Sequence, residues 1–290
     1  MISDTRDFYP EDYQSIESGQ TVYVITSVLD RFVEEILPDL ESAGIKFRLV
    51  TGACVIGVPK ELSQIHGFDY IQRLFERSSS VIAWFSQNFD LDSESPLIRP
   101  IPLGLDYHTL QRGSHWWGRQ ATAVRQEEQL KEAVNSSLPF KKRLNRTLSF
   151  YQFEMTDRNG GDRYKAIEAL ASKEFNEFLS ARYPRKLLWR ECIKYKYIIS
   201  PHGHGLDCHR TYEAVCLGCL PVVKSSSLDL LYKDMPVIIV DDWDKVDLEF
   251  LSEKSAIINT NSKVKLMLAY WIDYIREYKP EEFFVGSKGD

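Results

Sequence analysis

The sequence predicts an α/β protein with two halves in tandem, each built around a parallel sheet. Short β-branched runs alternate with segments whose apolar residues recur at helical spacing, which is the pattern of strand–helix–strand units. This alternation breaks once, over residues 107–144, and then restarts. The length of 290 residues also suits two domains of ordinary size better than a single core.

The first half contains four predicted strands, each a short apolar or β-branched run. They cover residues 22–26, 47–51, 81–85 and 98–102. Between the strands, residues 30–42 and 61–77 carry apolar side chains at helical spacing. Residues 120–133, inside the break, are polar and predict one exposed helix.

The second half repeats the alternation. Its predicted strands cover residues 148–151, 197–200, 220–223 and 237–240. Its predicted helices cover residues 162–172, 185–194, 208–217, 248–254 and 264–278. The basic segment 137–143, which contains Pro139, resembles a linker between domains.

These patterns predict three regions. Residues 1–140 form an N-terminal domain, residues 141–262 form a C-terminal domain, and residues 263–290 form a helix that packs back towards the first domain. We expect the two halves to face each other across a central cleft, because ligands of such sheets bind beyond the carboxyl ends of the strands.

Composition excludes several classes of protein. The net charge of −6 argues against a general nucleic-acid binder, which would show a basic stripe. No apolar run is long enough to span a bilayer, and residues 1–14 are polar and acidic, unlike a signal peptide. The cysteines number five, an odd count that indicates reduced thiols. We therefore expect a cytoplasmic protein with no membrane span.

The segment that carries most chemistry runs from Ser200 to Val223 and reads SPHGHGLDCHRTYEAVCLGCLPVV. A strand is predicted to end at Ser200, and the glycines Gly203 and Gly205 then let the backbone approach a ligand closely or adopt positive φ. Asp207 is predicted to cap the next helix. The N-terminus of that helix favours an anion such as a diphosphate.

Two charged side chains on this helix suit a nucleotide ligand. Arg210 supplies a fork-shaped cation for phosphate oxygens. Glu213 lies three positions later on the same helix face, where a carboxylate can accept hydrogen bonds from two ribose hydroxyls. The two side chains are equally compatible with a plain ion pair on a helix surface, worth about 0.3–0.5 kcal/mol.

The pattern Ser-Pro-x-Gly-x-Gly-x-Asp-x-x-Arg-x-x-Glu-Ala-x-x-x-Gly-Cys-x-Pro-Val-Val, here residues 200–223, resembles the donor-site signature of exostosin-like glycosyltransferases of family 47 and its relatives. Asn88 and the run Ile-Pro-Leu-Gly-Leu-Asp at residues 101–106 look most similar to the chlorovirus capsid-glycan transferases, which include a xylosyltransferase. For a viral enzyme of that kind, the location would be the host cytoplasm.

The resemblance implies a GT-B fold, with the donor held by the C-terminal half and an oligosaccharide acceptor by the N-terminal half. It further implies an inverting transferase that needs no metal or other cofactor and that moves xylose from UDP-xylose to a hydroxyl such as that of fucose. By the same resemblance, the donor-binding residues are matched to the motif and to one upstream arginine. They are Arg158, Ser200, His202, Gly203, Gly205, Asp207, Arg210 and Glu213.

The upstream arginine has two candidates. In the family, an arginine after the first strand of the C-terminal half reaches the diphosphate, and both Arg158 and Arg163 fit that position. Arg158 lies in a predicted turn with two glycines and is preferred, whereas Arg163 opens a helix and resembles an ordinary surface residue.

Two metal-binding interpretations are disfavoured. His202, His204, Cys208 and His209 have the side chains of zinc ligands, but their spacing lacks the usual two pairs. The tripeptide at residues 90–92 imitates a metal-binding Asp-x-Asp motif, but it lies in a polar segment and is predicted to be solvated.

The base that deprotonates the acceptor stays open, because a carboxylate or a histidine can serve. Asp69 and Asp106 are the preferred catalytic residues, His108 is a further candidate, and Asp30 fits less well. Asp106 follows a predicted strand and is expected at the rim of the cleft, while Asp69 precedes a predicted helix.

Other classes of protein leave weaker signals. A non-catalytic glycan- or nucleotide-binding protein of the same fold is the main alternative, although Arg210 and Glu213 argue against it. No G-x-G-x-x-G follows the first predicted strand, and no P-loop is present, which disfavours dinucleotide-dependent oxidoreductases and P-loop phosphoryl transferases.

Overall fold

The structure is a computed structural model that describes residues 8–260 and 262–280. The chain divides into two compact units. Unit 1 comprises Met1–Leu103, Ser226–Leu231 and Leu268–Asp290, and unit 2 comprises Gly104–Ser225 and Tyr232–Met267.

The boundary between the units therefore lies earlier than the predicted residue 140. Helix Ala123–Asn135 belongs to unit 2 because its contacts are made there. Gln126 donates a hydrogen bond from Nε2 to the carbonyl of Tyr107 (2.8 Å), and Arg185 donates from Nη1 to Gln126 Oε1 (3.0 Å). Gln126 is fully buried, so these bonds satisfy an amide that would otherwise be costly to bury.

Unit 1 contains a four-stranded parallel sheet in the order β1-β2-β3-β4. The strands are β1 (Thr21–Ile25), β2 (Phe47–Gly52), β3 (Val81–Ser86) and β4 (Ile98–Pro100). The α-helices of the first hundred residues are α1 (Leu29–Arg31), α2 (Leu37–Ser42), α3 (Lys60–His66) and α4 (Phe68–Gln72). Short π-helical stretches, Phe32–Ile36 and Arg73–Arg77, follow α1 and α4.

Unit 2 contains a five-stranded parallel sheet in the order β6-β5-β7-β8-β9. The strands are β5 (Leu144–Ser149), β6 (Asn176–Phe178), β7 (Tyr195–Ile199), β8 (Leu220–Lys224) and β9 (Ile238–Val240). The helices between residues 104 and 225 are α5 (His108–Arg112), α6 (Ala123–Asn135), α7 (Arg158–Leu170), α8 (Arg185–Cys192) and α9 (His209–Cys216). After residue 225, α11 (Leu248–Ile257) belongs to unit 2. Most of α10 (Asp229–Tyr232) and all of α12 (Leu268–Glu277) belong to unit 1.

The central strand β7 is covered on both faces. Ile198 packs in a buried cluster with Trp189 of α8, whereas its neighbours Tyr197 and Ile199 pack in a second cluster with Leu251 of α11. Successive side chains of a strand point to opposite faces, so helices lie on both sides of this sheet. The loop that follows β7 leaves the carboxyl edge of this two-sided layer, which is where ligands of such sheets bind.

Helix α12 packs on the sheet of unit 1. Tyr274 and Tyr278 meet the ring of Phe85 edge-on, at centroid distances of 5.8 and 5.6 Å. Arg99 of β4 donates from Nε to the hydroxyl of Tyr274 (3.2 Å). The last part of the predicted segment 263–290 lies outside the described residues.

The predicted α/β fold with two parallel sheets in tandem is confirmed. The sequence missed strand β6, which has three residues at the edge of its sheet. Among the described residues, no helix is both long enough and apolar enough to cross a membrane.

Candidate functional site

The candidate site lies in unit 2, in the loop between β7 and α9. The start of this loop is fixed to the sheet and to the helix. Ser200 donates its N–H to the carbonyl of Val222 (2.8 Å), and its hydroxyl lies 2.9 Å from that of Thr211. Ser200 is 2% exposed, so its side chain joins the loop to the first turn of α9.

Asp207 does not cap α9 as predicted. The N-cap residue is Cys208, which makes no side-chain capping bond. Asp207 is buried and instead accepts hydrogen bonds from the hydroxyls of Tyr212 (2.6 Å) and Tyr232 (3.2 Å) and from the N–H of Cys208 (2.8 Å). Asp207 therefore sets the path of the loop, and no side-chain bond from the N-cap residue of α9 competes with an anion there.

Arg210 lies in the first turn of α9 and is a cation without a matching carboxylate. Its Nη1 makes only long contacts, 3.5 Å to Ser200 Oγ and 3.4 Å to the carbonyl of Pro201, and its Nε is buried with no hydrogen-bond partner. Within the part of the chain that the structure describes, Arg210 forms no ion pair. Burial lowers the pKa of Arg210 to about 10.

Aromatic rings support the same guanidinium. Its carbon lies 5.4 Å from the ring centre of Phe150 and 5.8 Å from that of Tyr151. Rings attract a cation but do not neutralise it. Withdrawing an arginine from water costs free energy unless an anion balances its charge.

Arg163 is the second cation of the site, which corrects the sequence interpretation that it is a surface residue. It is 7% exposed, and it donates from Nε to the carbonyl of His202 (3.1 Å) and from Nη1 to that of Glu154. Its charge helps to lower the pKa of Arg210, after the larger effect of burial.

Gly203 is required by Arg163 and not by its own backbone conformation. It does not have the positive φ that its sequence context suggested. A Cβ at this position would lie 2.4 Å from Nη2 of Arg163. Gly205 is buried, and its carbonyl accepts a hydrogen bond from the N–H of Gly203 (3.0 Å).

Arg158 contacts the same loop from the first residue of α7, just before the non-helical turn at residues 159–161. Residues Asn159, Gly160 and Gly161 all have left-handed backbone angles, so the chain turns sharply after Arg158. Arg158 donates from Nε to the carbonyl of His204 (2.5 Å), and Asn159 donates from Nδ2 to that of Gly203 (2.8 Å).

The electrostatics of this loop are positive. The pKa of His204 is lowered, first by partial burial and then by the charges of Arg163 and Arg158. Helices α7 and α9 thus bring three arginines to one short loop.

His202 presents an unused ring nitrogen. Its Nδ1 donates to the carbonyl of Leu206 (2.7 Å), since a carbonyl only accepts. Its Nε2 is buried and has no partner. The main-chain N–H of His202 is held by the buried Asp162 (2.9 Å), which also accepts from the indole of Trp243 (2.7 Å).

Glu213 pairs with an arginine that the sequence did not reveal. Nε of Arg185 lies 3.4 Å from Oε1 of Glu213, so the alternative of a surface pair between Arg210 and Glu213 is wrong. Both partners are largely buried. Arg185 follows Pro184 at the start of α8, and nothing in that dipeptide predicts its partner.

Asp106 is buried rather than exposed at the rim of a cleft. It is 2% exposed, and its carboxylate contacts Arg185 Nη2 (3.4 Å), Thr109 N (2.9 Å) and His108 Nδ1 (2.9 Å). Burial raises the pKa of Asp106, but the hydrogen bonds from His108 and Thr109 outweigh it and hold that pKa well below its usual range. An occupied, strongly acidic carboxylate does not suit the general base predicted there.

Two other predicted residues, Asp69 and Asp90, belong to unit 1. Asp69 is exposed in the first turn of α4, in unit 1. Asp90 is not simply solvated, because its carboxylate accepts the N–H groups of Lys60 (2.7 Å) and Glu61 (2.9 Å) at the start of α3.

The zinc interpretation finds no support in side-chain placement. Nδ1 of His202 and Nδ1 of His209 each bond to a backbone carbonyl, of Leu206 and of Gly104 (both 2.7 Å). Across the described ranges, no group of three or more His, Cys, Asp or Glu side chains is arranged to hold a metal ion.

Comparison with known proteins gives likenesses in structure but not in sequence. No protein-family model matches the chain, and no curated protein matches its sequence. Among solved structures, the chain is similar to a crystal structure of an alpha1,3-fucosyltransferase, with 13% sequence identity and a TM-score of 0.38. That likeness covers 95% of this chain and 85% of the other.

Proposed function

We propose that this chain is a glycosyltransferase that binds the diphosphate of a nucleotide sugar at the β7–α9 loop. The observation that carries the proposal is Arg210, a half-buried cation whose Nε has no partner and which pairs with no carboxylate in the described chain, at the N-terminus of a helix whose N-cap residue makes no side-chain bond. A diphosphate supplies the missing negative charge and accepts from the arginine fork and the helix N–H groups together.

Two further groups support an anion at this place. Arg163 reaches the loop from α7. It is held by two backbone carbonyls, so its charge is still unneutralised. Nε2 of His202 is buried and unpaired and becomes a donor when the ring is protonated. Fixed cations stabilise the charge that develops on a departing nucleotide diphosphate, which is the main demand of sugar transfer.

Glu213 is the proposed partner of the ribose. Its Oε1 lies 3.4 Å from Nε of Arg185, and a carboxylate acts only as an acceptor. Two adjacent hydroxyls of a ribose can donate to its two oxygens. With Glu213 as a ribose ligand, the site would prefer a nucleotide to a diphosphate without a ribose. A cluster of arginines alone would not make that distinction.

The finer identity rests on the resemblance to exostosin-like transferases. It favours UDP-xylose as the donor, a fucose-containing glycan held by the N-terminal half as the acceptor, inversion at the anomeric carbon, and no metal requirement. The arginines fit the last point, because they supply positive charge where other transferases use a divalent ion.

Thermal unfolding in the presence of nucleotides tests the proposal. UDP and UDP-xylose, compared with GDP, CMP and other donors, are added first without metal and then with Mn²⁺. A ligand at a hundred times its Kd adds about 2.7 kcal/mol, which raises Tm by several degrees at ~2–4 °C per kcal/mol. We expect stabilisation by UDP compounds without metal.

Three other outcomes have distinct meanings. A shift that appears only with Mn²⁺ contradicts metal independence. Stabilisation by UDP-xylose with no UDP released over prolonged incubation with acceptor sugars favours a non-catalytic binding protein of the same fold. No shift with any nucleotide overturns the donor site.

A further inference from the structure

Asp106 and His108 form a carboxylate–imidazole pair in unit 2. Oδ1 of Asp106 lies 2.9 Å from Nδ1 of His108. The two side chains differ sharply in exposure: the carboxylate is 2% exposed and the imidazole 62%. One member of the pair is fixed inside the unit, and the other presents its ring to solvent.

Asp106 is fixed from several directions. Besides His108, it accepts the N–H of Thr109 (2.9 Å), and its second oxygen lies 3.4 Å from Nη2 of Arg185. Nη1 of Arg185 donates to the main-chain carbonyl of Asp106 as well. A carboxylate whose only role was to accept an N–H group at the start of α5 would not need a buried arginine on its other oxygen.

These contacts decide the tautomer of His108. An ionised carboxylate only accepts hydrogen bonds, so Nδ1 of His108 carries the proton and Nε2 has a free electron pair. A carboxylate on Nδ1 also stabilises the imidazolium that forms when Nε2 takes up a proton. Those are the properties of a general base.

The pair lies beside the proposed donor site. Arg185 contacts both Asp106 (3.4 Å) and Glu213 (3.4 Å), so a single guanidinium joins the pair to the proposed ribose ligand. The ring of His209, the residue before Arg210, lies 6.2 Å from that of His108. Asp106 on its own segment and His209 on α9 are therefore ionisable groups that face His108.

We propose that His108 is the general base of sugar transfer and that Asp106 is a positioning residue that acts through it. The proposal rests on the proposed function. The acceptor oxygen forms a bond to the anomeric carbon of the donor as the bond from that carbon to the diphosphate oxygen breaks. Nε2 of His108 takes the proton of the acceptor hydroxyl, and the nucleoside diphosphate leaves with the electron pair.

The test separates catalysis from donor binding. We compare His108→Ala and His108→Gln with the unmodified chain for UDP affinity and for UDP release from UDP-xylose, with methyl fucoside or water as acceptor. His115→Ala is the matched control, because His115 is also an exposed histidine of unit 2. We expect kcat to fall about 10²–10⁴-fold in both His108 variants, with UDP affinity and His115→Ala activity unchanged.

Asp106 requires a readout that simple destabilisation would not move. In Asp106→Asn, kcat falls and the acidic limb of its pH profile shifts, because the imidazolium loses its carboxylate partner. Added imidazole restores part of the activity of His108→Ala. Wild-type transfer rates in His108→Ala, or a parallel loss of UDP affinity, overturn the proposal. Absence of UDP binding by the unmodified chain overturns the proposed function itself.

Discussion

Single residues in the candidate site show what spacing can and cannot indicate. The motif singled out Arg210 and Glu213, because an arginine and a glutamate three positions apart share a helix face. Their role in donor binding stays a prediction. Spacing could not rank Arg158 against Arg163. That ranking depends on the close approach of Arg163 to Gly203, which involves residues far apart in the chain.

Gly203→Ala tests this approach. The added Cβ would lie 2.4 Å from Nη2 of Arg163, so the guanidinium must move out of its place between two carbonyls. We expect a loss of about 1–3 kcal/mol in the free energy of unfolding, typical of overpacking, and weaker UDP binding. Urea unfolding and a UDP titration measure the two effects.

The double variant Gly203→Ala with Arg163→Ala serves as its control. The small side chain at 163 removes the clash, so the alanine at 203 should add no further cost to Arg163→Ala. A full, additive cost in the double variant would show that Gly203 is needed for some other reason.

At the scale of elements, strands and helices with strong patterns were predictable. The runs that form β7 and β8 are apolar and β-branched, and the turn at residues 158–161 was recognised from its glycines. Strand β6 was not predictable, because it has three residues and includes Asn176 and Glu177. Strand β6 forms because it pairs with the edge of β5, and this pairing of distant segments is not visible in the local sequence.

The left-handed turn at residues 159–161, near the start of α7, leads to a prediction. Gly160 and Gly161 have φ of +68° and +66°, and the atoms nearest to an added Cβ are 3.6 and 3.7 Å away, so only backbone strain opposes a side chain. Alanine at either position should cost ~1–2 kcal/mol, or ~2–4 °C of Tm per kcal/mol. Differential scanning calorimetry measures it.

Gly113→Ala is the matched comparison. Gly113 has an extended backbone, with φ of 179°, and has no atom within 4 Å of an added Cβ. We expect no loss of Tm there. Equal effects at Gly113 and Gly161 would refute the explanation by backbone strain.

At the scale of the whole molecule, the two-sheet architecture was predictable and the division of the chain was not. Each sheet follows from local runs of apolar residues. The assignment of residues 104–140 to unit 2 depends on Gln126 and Arg185, two polar residues that sequence patterns place on the surface. Likewise, the net charge of −6 conceals a local cluster of arginines around one loop.

The most direct test of the central claim is a calorimetric titration of UDP, without metal, into the unmodified chain and into Arg210→Ala. Arg190→Ala is the control, because Arg190 is an exposed arginine in α8 of the same unit. Loss of charged hydrogen bonds worth about 1.5–3 kcal/mol predicts UDP binding weakened by roughly ten- to a hundredfold or more in Arg210→Ala, with Arg190→Ala unchanged. UDP affinity equal to that of the unmodified chain in a folded Arg210→Ala variant would contradict the account.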